Sequence, residues 1–242
     1  MIRMKGKPVV GPGLTKDTIL WRYLDTAKYL DFLHNKDIFF CRGDRFEDKY
    51  EGSFTSSIKH AIEKAYEKNH IQMTYEEFKK RLRERVFVNC WHKSPNDSMA
   101  MWQLYGKTNL AVAVTTTVDK LREQLERANL KHFLSIKKVT YVKYWRDPKL
   151  DIKPYSNVFA YKVVAYDFEK EVRLIIDRFD DESENEMQEY GMRVKIQPSM
   201  LVRSVVIMPE ASEWYVNLIT DVSEKFGLSV PVHRSKLSSG PV

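Results

Sequence analysis

Residues 161–176 contain the side chains of this chain that are best suited to chemistry. Within this stretch Glu169, Glu171 and Arg173 stand at every second position. If the stretch is one β-strand, alternation places these three side chains on one face and mainly apolar ones on the other. Two carboxylates this close repel each other when desolvated, so the pKa of one should rise toward the range used in acid or base catalysis. A solvated strand face with a Glu171–Arg173 ion pair would produce the same spacing.

Other common catalytic and metal-binding patterns are absent from the sequence. There is no Gly-x-Gly-x-x-Gly, Gly-x-x-x-x-Gly-Lys-Ser/Thr or Gly-x-Ser-x-Gly motif, which argues against kinase, P-loop and Rossmann sites and against a nucleophile elbow. The six histidines are scattered without the spacing of a metal-binding helix, so we expect no metal site. Cys41 and Cys90 form neither a zinc knuckle nor a disulfide framework, which suits a reducing compartment.

The charge balance favours an anionic partner. The chain has 40 Lys and Arg residues against 33 Asp and Glu, a formal net charge of +7 and a sequence pI near 9.2. We therefore expect nucleic acid or a phosphate-bearing cofactor ahead of a basic protein. The amino terminus lacks an apolar signal core, and no window approaches the roughly eighteen uncharged apolar residues of a membrane span. These observations predict a cytoplasmic protein that does not bind membranes.

The length and patterning predict one domain of the α+β class. With 242 residues and 43% hydrophobic content, the chain can bury a sizeable core. We expect a flexible lead-in over residues 1–14, a single domain over 15–237 and a tail over 238–242. Because the strand and helix patterns do not alternate as a doubly wound parallel sheet requires, we predict a mixed, largely antiparallel curved sheet, or sheets, flanked by helices.

Individual elements follow from local signals. One helix should begin at the cap Asp25/Thr26, another at the capping box formed by Thr74 and Glu77, and the last at Ser212 with Trp214 buried. β-branched and aromatic runs predict the strands. These lie at residues 19–24, 37–41, 86–91, 110–114, 139–142, 192–196 and 202–208.

Four segments combine aromatic and charged residues, namely 21–23, 45–52, 101–106 and 166–173. Aromatic rings beside charged groups suit a ligand that has both a ring to stack and phosphates to neutralise, and they equally suit the rim of an ordinary core. Trp102 and Tyr105 are three residues apart on one predicted helical face. They either pack in the core or line a pocket.

In order and spacing, these segments resemble a bacterial and phage family catalogued as domain of unknown function two-nine-seven-one, over nearly the whole chain. The family pattern is an aromatic-basic-aromatic strand, a Phe-Asn-Asp-Pro-aromatic-Glu turn, a Trp-x-x-Tyr segment and a closing Lys, aromatic and Glu-x-Glu-aromatic-Arg element. Glu47 and Lys49 replace the usual Asn and Pro, and Tyr166 replaces a Trp. The matching residues are Trp21, Arg22, Tyr23, Phe46, Asp48, Tyr50, Glu51, Trp102, Tyr105, Lys162, Tyr166, Glu169, Glu171 and Arg173.

The layout is also similar, more distantly, to ADP-ribosyltransferases, including nucleic-acid-modifying toxins of bacterial defence. This resemblance implies that NAD is the substrate, with Arg22 on its phosphate or ribose and Tyr23 or Trp102 stacked on nicotinamide. Glu171 would be the catalytic carboxylate, and Glu169 would orient the ribose or deprotonate the acceptor. The resemblance adds three residues to the NAD-binding set, namely Tyr105, Asp48 and Arg173. It also implies a nucleic-acid or protein acceptor, a toxin or anti-phage role, and an antitoxin or regulatory partner.

Two rival functions remain open. In a metal-dependent nuclease, Asp48, Glu51, Glu169 and Glu171 would converge within about 4 to 5 Å of one Mg²⁺ position. A non-catalytic module would instead recognise nucleic acid or a protein through its basic surface. The transferase hypothesis requires the strand with Glu171 to face Arg22 across a cleft large enough for a dinucleotide.

Overall fold

The structure is a computed structural model that describes residues 6–46, 50–106, 110–143, 150–181 and 190–238. Its strands are β1 Val9–Val10, β2 Ile19–Asp25, β3 Asp37–Arg42, β4 Val86–Lys93, β5 Ala111–Thr117, β6 Phe133–Lys138, β7 Thr140–Val142, β8 Tyr161–Val163, β9 Glu171–Asp177, β10 Gly191–Lys195, β11 Ser204–Ile207 and β12 Val232–Arg234. Its helices are α1 Thr26–Asn35, α2 Ser56–Glu67, α3 Tyr75–Arg85, α4 Met99–Gly106, α5 Val118–Arg127, α6 Pro198–Leu201 and α7 Glu213–Lys225. None of the described helices is long and apolar enough to cross a membrane.

The chain forms two compact units. Unit 1 comprises Met1–Pro12, Phe39–Asn89 and Leu130–Met192, and unit 2 comprises Gly13–Ile38, Cys90–Asn129 and Arg193–Val242. Strand pairing is antiparallel in most pairs and parallel in a few, and helices flank the strands. The predicted α+β class with a mixed, largely antiparallel sheet is therefore confirmed. The bounds of the lead-in, domain and tail stay predictions.

Unit 1 is organised around the β6–β9 pair. These strands run antiparallel from Phe133↔Asp177 to Lys138↔Val172, and β1 joins β6 in parallel. Short β7 and β8 form a separate parallel pair. Val172, Leu174 and Ile176 are buried on one side of β9. Burying this apolar row holds β9 in register, because a slip by one residue would turn the row to the polar side.

Unit 2 contains an ordered set of paired strands. The carboxyl-terminal part of β4 pairs with β2, β2 with β5, β5 with β11, and β11 with β12. Helix α1 begins where predicted, since the Asp25 side chain accepts the backbone N–H of Lys28 at 2.8 Å. It buries Tyr29, Phe32 and Leu33. In α7, Ile219 is buried while Trp214 is 56% exposed, so the predicted burial of Trp214 was wrong.

Residues 161–176 do not form the single strand that the sequence analysis considered as a condition. The chain forms β8, then a 3₁₀ helix over Val164–Glu169, and then β9 from Glu171. Lys170 separates the last two elements in a left-handed conformation with φ 43°, and its N–H donates to the Asp167 carbonyl at 3.1 Å. A left-handed residue cannot continue a strand, because strands require φ near −120°.

Candidate active site

Five charged side chains meet in unit 1 and are almost fully buried. Glu51, Lys162, Glu169, Glu171 and Arg173 are each exposed by 7% or less, and we call them the carboxylate cluster. Glu171 and Arg173 project from one face of β9, while Lys162 comes from β8. The predicted proximity of Glu169, Glu171 and Arg173 is confirmed, although they lie in the interior and not on a solvated strand face.

Lys162 lies at the centre of the cluster. Its Nζ donates to Glu169 Oε2 at 2.6 Å and to Glu171 Oε1 at 2.8 Å, and it lies 3.4 Å from Glu51 Oε1. The same Nζ is 4.5 Å from the ring centroid of Tyr166, within the range of a cation–π contact. One ammonium group therefore holds three carboxylates together.

Arg173 fixes Glu171 from the other side. Its Nε donates to Glu171 Oε2 at 2.5 Å, its Nη2 donates to Glu51 Oε1 at 3.0 Å, and its Nη1 donates to the Phe159 carbonyl at 2.9 Å. Phe46 adds a ring centroid 5.6 Å from the guanidinium carbon. Because these donors point inward and the side chain is 1% exposed, Arg173 positions Glu171 in this structure. The expected contact between Arg173 and NAD stays a prediction.

The two neighbouring carboxyl groups have very different proton affinities. Burial, followed by a hydrogen bond with Glu171, raises the pKa of Glu169 from 4.5 to about 7. Burial also acts to raise the pKa of Glu171, but the positive charges of Arg173 and Lys162 outweigh it and hold that pKa well below its usual range. The charge of Glu171 in turn raises the pKa of Lys162 against the effect of its own burial. At neutral pH Glu171 is therefore ionised, while Glu169 exchanges a proton.

Glu51 reaches the cluster from a turn that only glycine can complete. Gly52 has φ +68°, and a Cβ added there would lie 2.4 Å from Cζ of Phe159. Gly43 contacts the same ring from another loop, where an added Cβ would lie 2.5 Å from that atom. Among the described residues nothing hydrogen-bonds to the buried Oε2 of Glu51. That oxygen is an open acceptor beside the two cations.

A cleft of about 530 Å³ in unit 1 lies beside the cluster. Tyr141 belongs to its wall, and its hydroxyl accepts the backbone N–H of Glu171 at 2.9 Å. Lys137 also lines the cleft and is the cross-strand partner of Arg173, so the two side chains project from the same sheet face. Burial lowers the pKa of Lys137, whose Nζ donates to Asn157 Oδ1. Tyr161 adds a second ring to the lining, which also contains Asp151, whose charge acts on Lys137.

The other predicted site residues lie in unit 2 or outside the described residues. Tyr23 and Trp102 contact each other edge to face with ring centroids 4.8 Å apart, and both are buried. Arg22 projects from the opposite face of β2, where its guanidinium carbon lies 6.0 Å from the Trp91 ring centroid. Burial lowers the pKa of Arg22 to about 10, which leaves it charged at neutral pH.

Tyr105 and Asp48 are the two remaining unit 2 or undescribed members of the predicted NAD-binding set. Tyr105 is 44% exposed, unlike Trp102 on the same helix, so the two residues do not share one environment. Asp48 lies outside the described residues. The NAD-binding roles assigned to Arg22, Tyr23, Trp102, Tyr105 and Asp48 stay predictions.

Three of the four carboxylates that a metal-dependent nuclease would need do converge. Oxygens of Glu51, Glu169 and Glu171 all lie within 3.4 Å of one point, but that point is Lys162 Nζ. Within the described parts of the chain, no group of three or more His, Cys, Asp or Glu residues could hold a metal ion. An ammonium group at the centre neutralises the carboxylates and repels a divalent cation.

Sequence reasoning assigned Lys162 to no catalytic or binding site, and it assigned Glu51 only to the rival nuclease site. Both are among the residues matched to the family pattern in the sequence analysis. No local spacing could reveal that Glu51 joins the carboxylate cluster, because Glu51 and its partner Arg173 are 122 residues apart in the chain.

Comparisons with known proteins give only remote similarity. No protein-family profile and no curated protein matches the chain. Among solved structures, Thermus sp. 2.9 DarT in complex with ADP-ribosylated ssDNA is 8% identical with a TM-score of 0.42, covering 97% of this chain and 100% of that one. The same protein in complex with NAD+ is 8% identical with a TM-score of 0.42, covering 94% and 100%. In complex with carba-NAD+ it is 6% identical with a TM-score of 0.41, covering 92% and 97%. At these values the similarity decides neither the fold nor the function of this chain.

Proposed function

We propose that the protein is an NAD-dependent ADP-ribosyltransferase whose catalytic centre is the carboxylate cluster of unit 1. The observation that carries the proposal is the buried pair Glu169 and Glu171, which are separated by one residue and both accept from Lys162 Nζ, at 2.6 and 2.8 Å. Burial and the neighbouring charges displace their pKa values in opposite directions. Two neighbouring carboxyl groups with such different proton affinities are suited to two different roles in one reaction.

The two roles follow from the chemistry of the transfer. When the glycosidic bond of NAD breaks, nicotinamide leaves with the bonding electron pair and the ribose carbon becomes oxocarbenium-like. The ionised Glu171, held by Lys162 and Arg173, supplies a fixed negative charge that stabilises this cation. The acceptor then forms a bond to the ribose carbon, and its proton passes to Glu169. A base with a pKa near 7 is well matched to this step at neutral pH.

The cleft beside the cluster has the chemistry that NAD requires. Its volume of about 530 Å³ lies within the usual range of about 300 to 1,000 Å³ for small-molecule pockets. Lys137 offers a positive charge for a phosphate, while Tyr141 and Tyr161 offer rings for stacking. Tyr141 connects this cleft to the backbone of Glu171.

Nucleic acid is the acceptor that the chain supports best. The net charge of +7 favours a polyanion. Next to Glu169, the 3₁₀ helix exposes Tyr166 and Phe168 by 38% and 41%. Exposed rings of this kind stack on unpaired bases. As part of the same proposal, the protein acts as a toxin or defence effector that an antitoxin restrains. Expression of the natural chain should therefore arrest growth. The Glu171→Gln variant should not arrest it.

Nicotinamide release from NAD tests the proposal directly. Purified protein is incubated with NAD and, in separate reactions, with single-stranded DNA, single-stranded RNA or a protein mixture. We expect release and labelling of a nucleic-acid acceptor by the natural chain and by Glu123→Gln, an exposed control on α5. We expect at least a hundredfold loss in Glu171→Gln, in line with the effect of about 10² to 10³ for removing one group that stabilises transition-state charge.

A folding control is essential because Glu171 is buried between two cations. Removing one partner of such a network can cost about 3 to 5 kcal/mol of stability. Thermal unfolding of each variant therefore accompanies the assay, and Glu169→Gln provides a milder second variant. No nicotinamide release with any acceptor, or equal release by natural chain and both variants, would contradict the proposal. Unchanged activity in cells for Glu171→Gln would favour a binding module.

A further inference from the structure

Unit 2 contains a cavity of about 380 Å³ that lies outside the carboxylate cluster. Its floor is one row of side chains across three strands, because Trp21 on β2 is the partner of Thr115 on β5, and Thr115 is the partner of Ser204 on β11. Cross-strand partners project from the same sheet face. Residues 95–97 form part of the wall.

The cavity is basic at its rim. Arg203, His233 and Lys236 line it, and all three are exposed. Within the described part of the chain, neither Arg203 nor Lys236 forms an ion pair through its side chain. The one carboxylate in the lining is Asp97, whose Oδ2 accepts from Trp102 Nε1 at 3.2 Å and from the Ser235 hydroxyl.

The floor offers both polar and apolar contacts. The hydroxyls of Thr115 and Ser204 lie 2.7 Å apart and can turn either way to donate. Trp21 donates its Nε1 to the Ser94 carbonyl at 2.9 Å, which leaves the ring as an apolar wall. Ile19 and Val206 extend this wall.

We propose that this cavity binds a nucleoside phosphate. The unpaired cations and the two hydroxyls suit a phosphate dianion, and the apolar wall with Trp21 suits a planar base. The volume is near the lower end of the usual range for ligand pockets, which fits one nucleotide unit and not a dinucleotide. Such a unit exists as a free mononucleotide and as the 5′ end of a single strand. The site is separate from the proposed transferase centre, because none of its lining residues belongs to the carboxylate cluster or to the cleft beside it.

Calorimetric titration of the purified full chain tests this inference without any turnover. The probes are AMP, inorganic phosphate and a 5′-phosphorylated single-stranded DNA oligonucleotide. We expect AMP to bind at least tenfold more tightly than phosphate. Binding of AMP without the oligonucleotide identifies a free nucleotide as ligand, and binding of the oligonucleotide identifies a strand end. AMP binding no tighter than phosphate would overturn the proposal.

Surface variants locate the binding. Arg203→Ala and Lys236→Ala should each weaken AMP binding about tenfold, the effect of losing a hydrogen bond to a charged group. Lys225→Ala, an exposed lysine in the last turn of α7, should leave it unchanged. Asp97→Asn should strengthen binding about fivefold, because it removes a negative charge from the lining. Equal affinities for the natural chain and both rim variants would refute the assignment.

Discussion

The raised pKa of Glu169 should appear as an unusual pH dependence of folding stability. The unfolded chain releases this proton near 4.5, whereas the folded chain holds it to about 7. Between these values the folded state binds more protons than the unfolded state, so the group's contribution to stability is fully present below pH 4.5 and is lost as the pH rises through 7. Each pH unit in this window corresponds to about 1.4 kcal/mol, which amounts to about 3 kcal/mol in all.

Replacing Glu169 by Gln removes this dependence. The amide has nearly the shape of the protonated acid and does not titrate, so natural chain and variant should differ least near pH 4.5. As the pH rises to 8, the free energy of unfolding of the variant, relative to that of the natural chain, should increase by about 3 kcal/mol. Glu171 does not mask this effect, because its lowered pKa places its own loss of stability below pH 4.5.

Urea denaturation at pH 5, 6, 7 and 8 measures the effect. The free energy of unfolding is compared for the natural chain, Glu169→Gln and the exposed control Glu123→Gln, which should follow the natural chain at every pH. If the difference between Glu169→Gln and the natural chain stays constant across this range, or changes in the opposite direction, Glu169 does not titrate near 7. The reasoning on both folding and its role as a base would then fail together.

Two further predictions concern how the cluster is held. Arg173→Met should lower the free energy of unfolding by about 3 to 5 kcal/mol in urea denaturation, because it removes one of the two cations that hold the buried carboxylates of Glu51 and Glu171; a loss below about 1 kcal/mol would show that the pair is solvated. Gly52→Ala should cost about 1 to 3 kcal/mol more than Gly227→Ala, since both have positive φ but only the former meets Phe159. Equal thermal shifts for these two glycine variants would contradict the packing described around Phe159.

Local signals predicted the elements whose causes are themselves local. Asp25 caps α1 and Thr74 with Glu77 forms the expected capping box, because these contacts join residues three apart. Strand β6 (Phe133–Lys138) was not predicted, since its two terminal lysines obscure the apolar run. Its place between β1 and β9 comes from partners far away in sequence.

The alternation of side chains along β2 bears on the NAD-binding roles that were expected for Arg22 and Tyr23. Neighbouring residues in a strand point to opposite faces. Arg22 and Tyr23 therefore project from opposite sides of β2, where one contacts Trp91 and the other contacts Trp102. The sequence was sufficient to predict this separation.

The sequence alone determined that Glu169, Glu171 and Arg173 would lie close together, because their spacing constrains them whether or not the segment is a strand. Only the tertiary structure decided their environment. Folding brings Lys162 and the distant Glu51 to the same point and excludes water from it. Burial and two cations then separate the proton affinities of the two neighbouring carboxyl groups, and an effect of that kind depends on three-dimensional proximity and not on order along the chain.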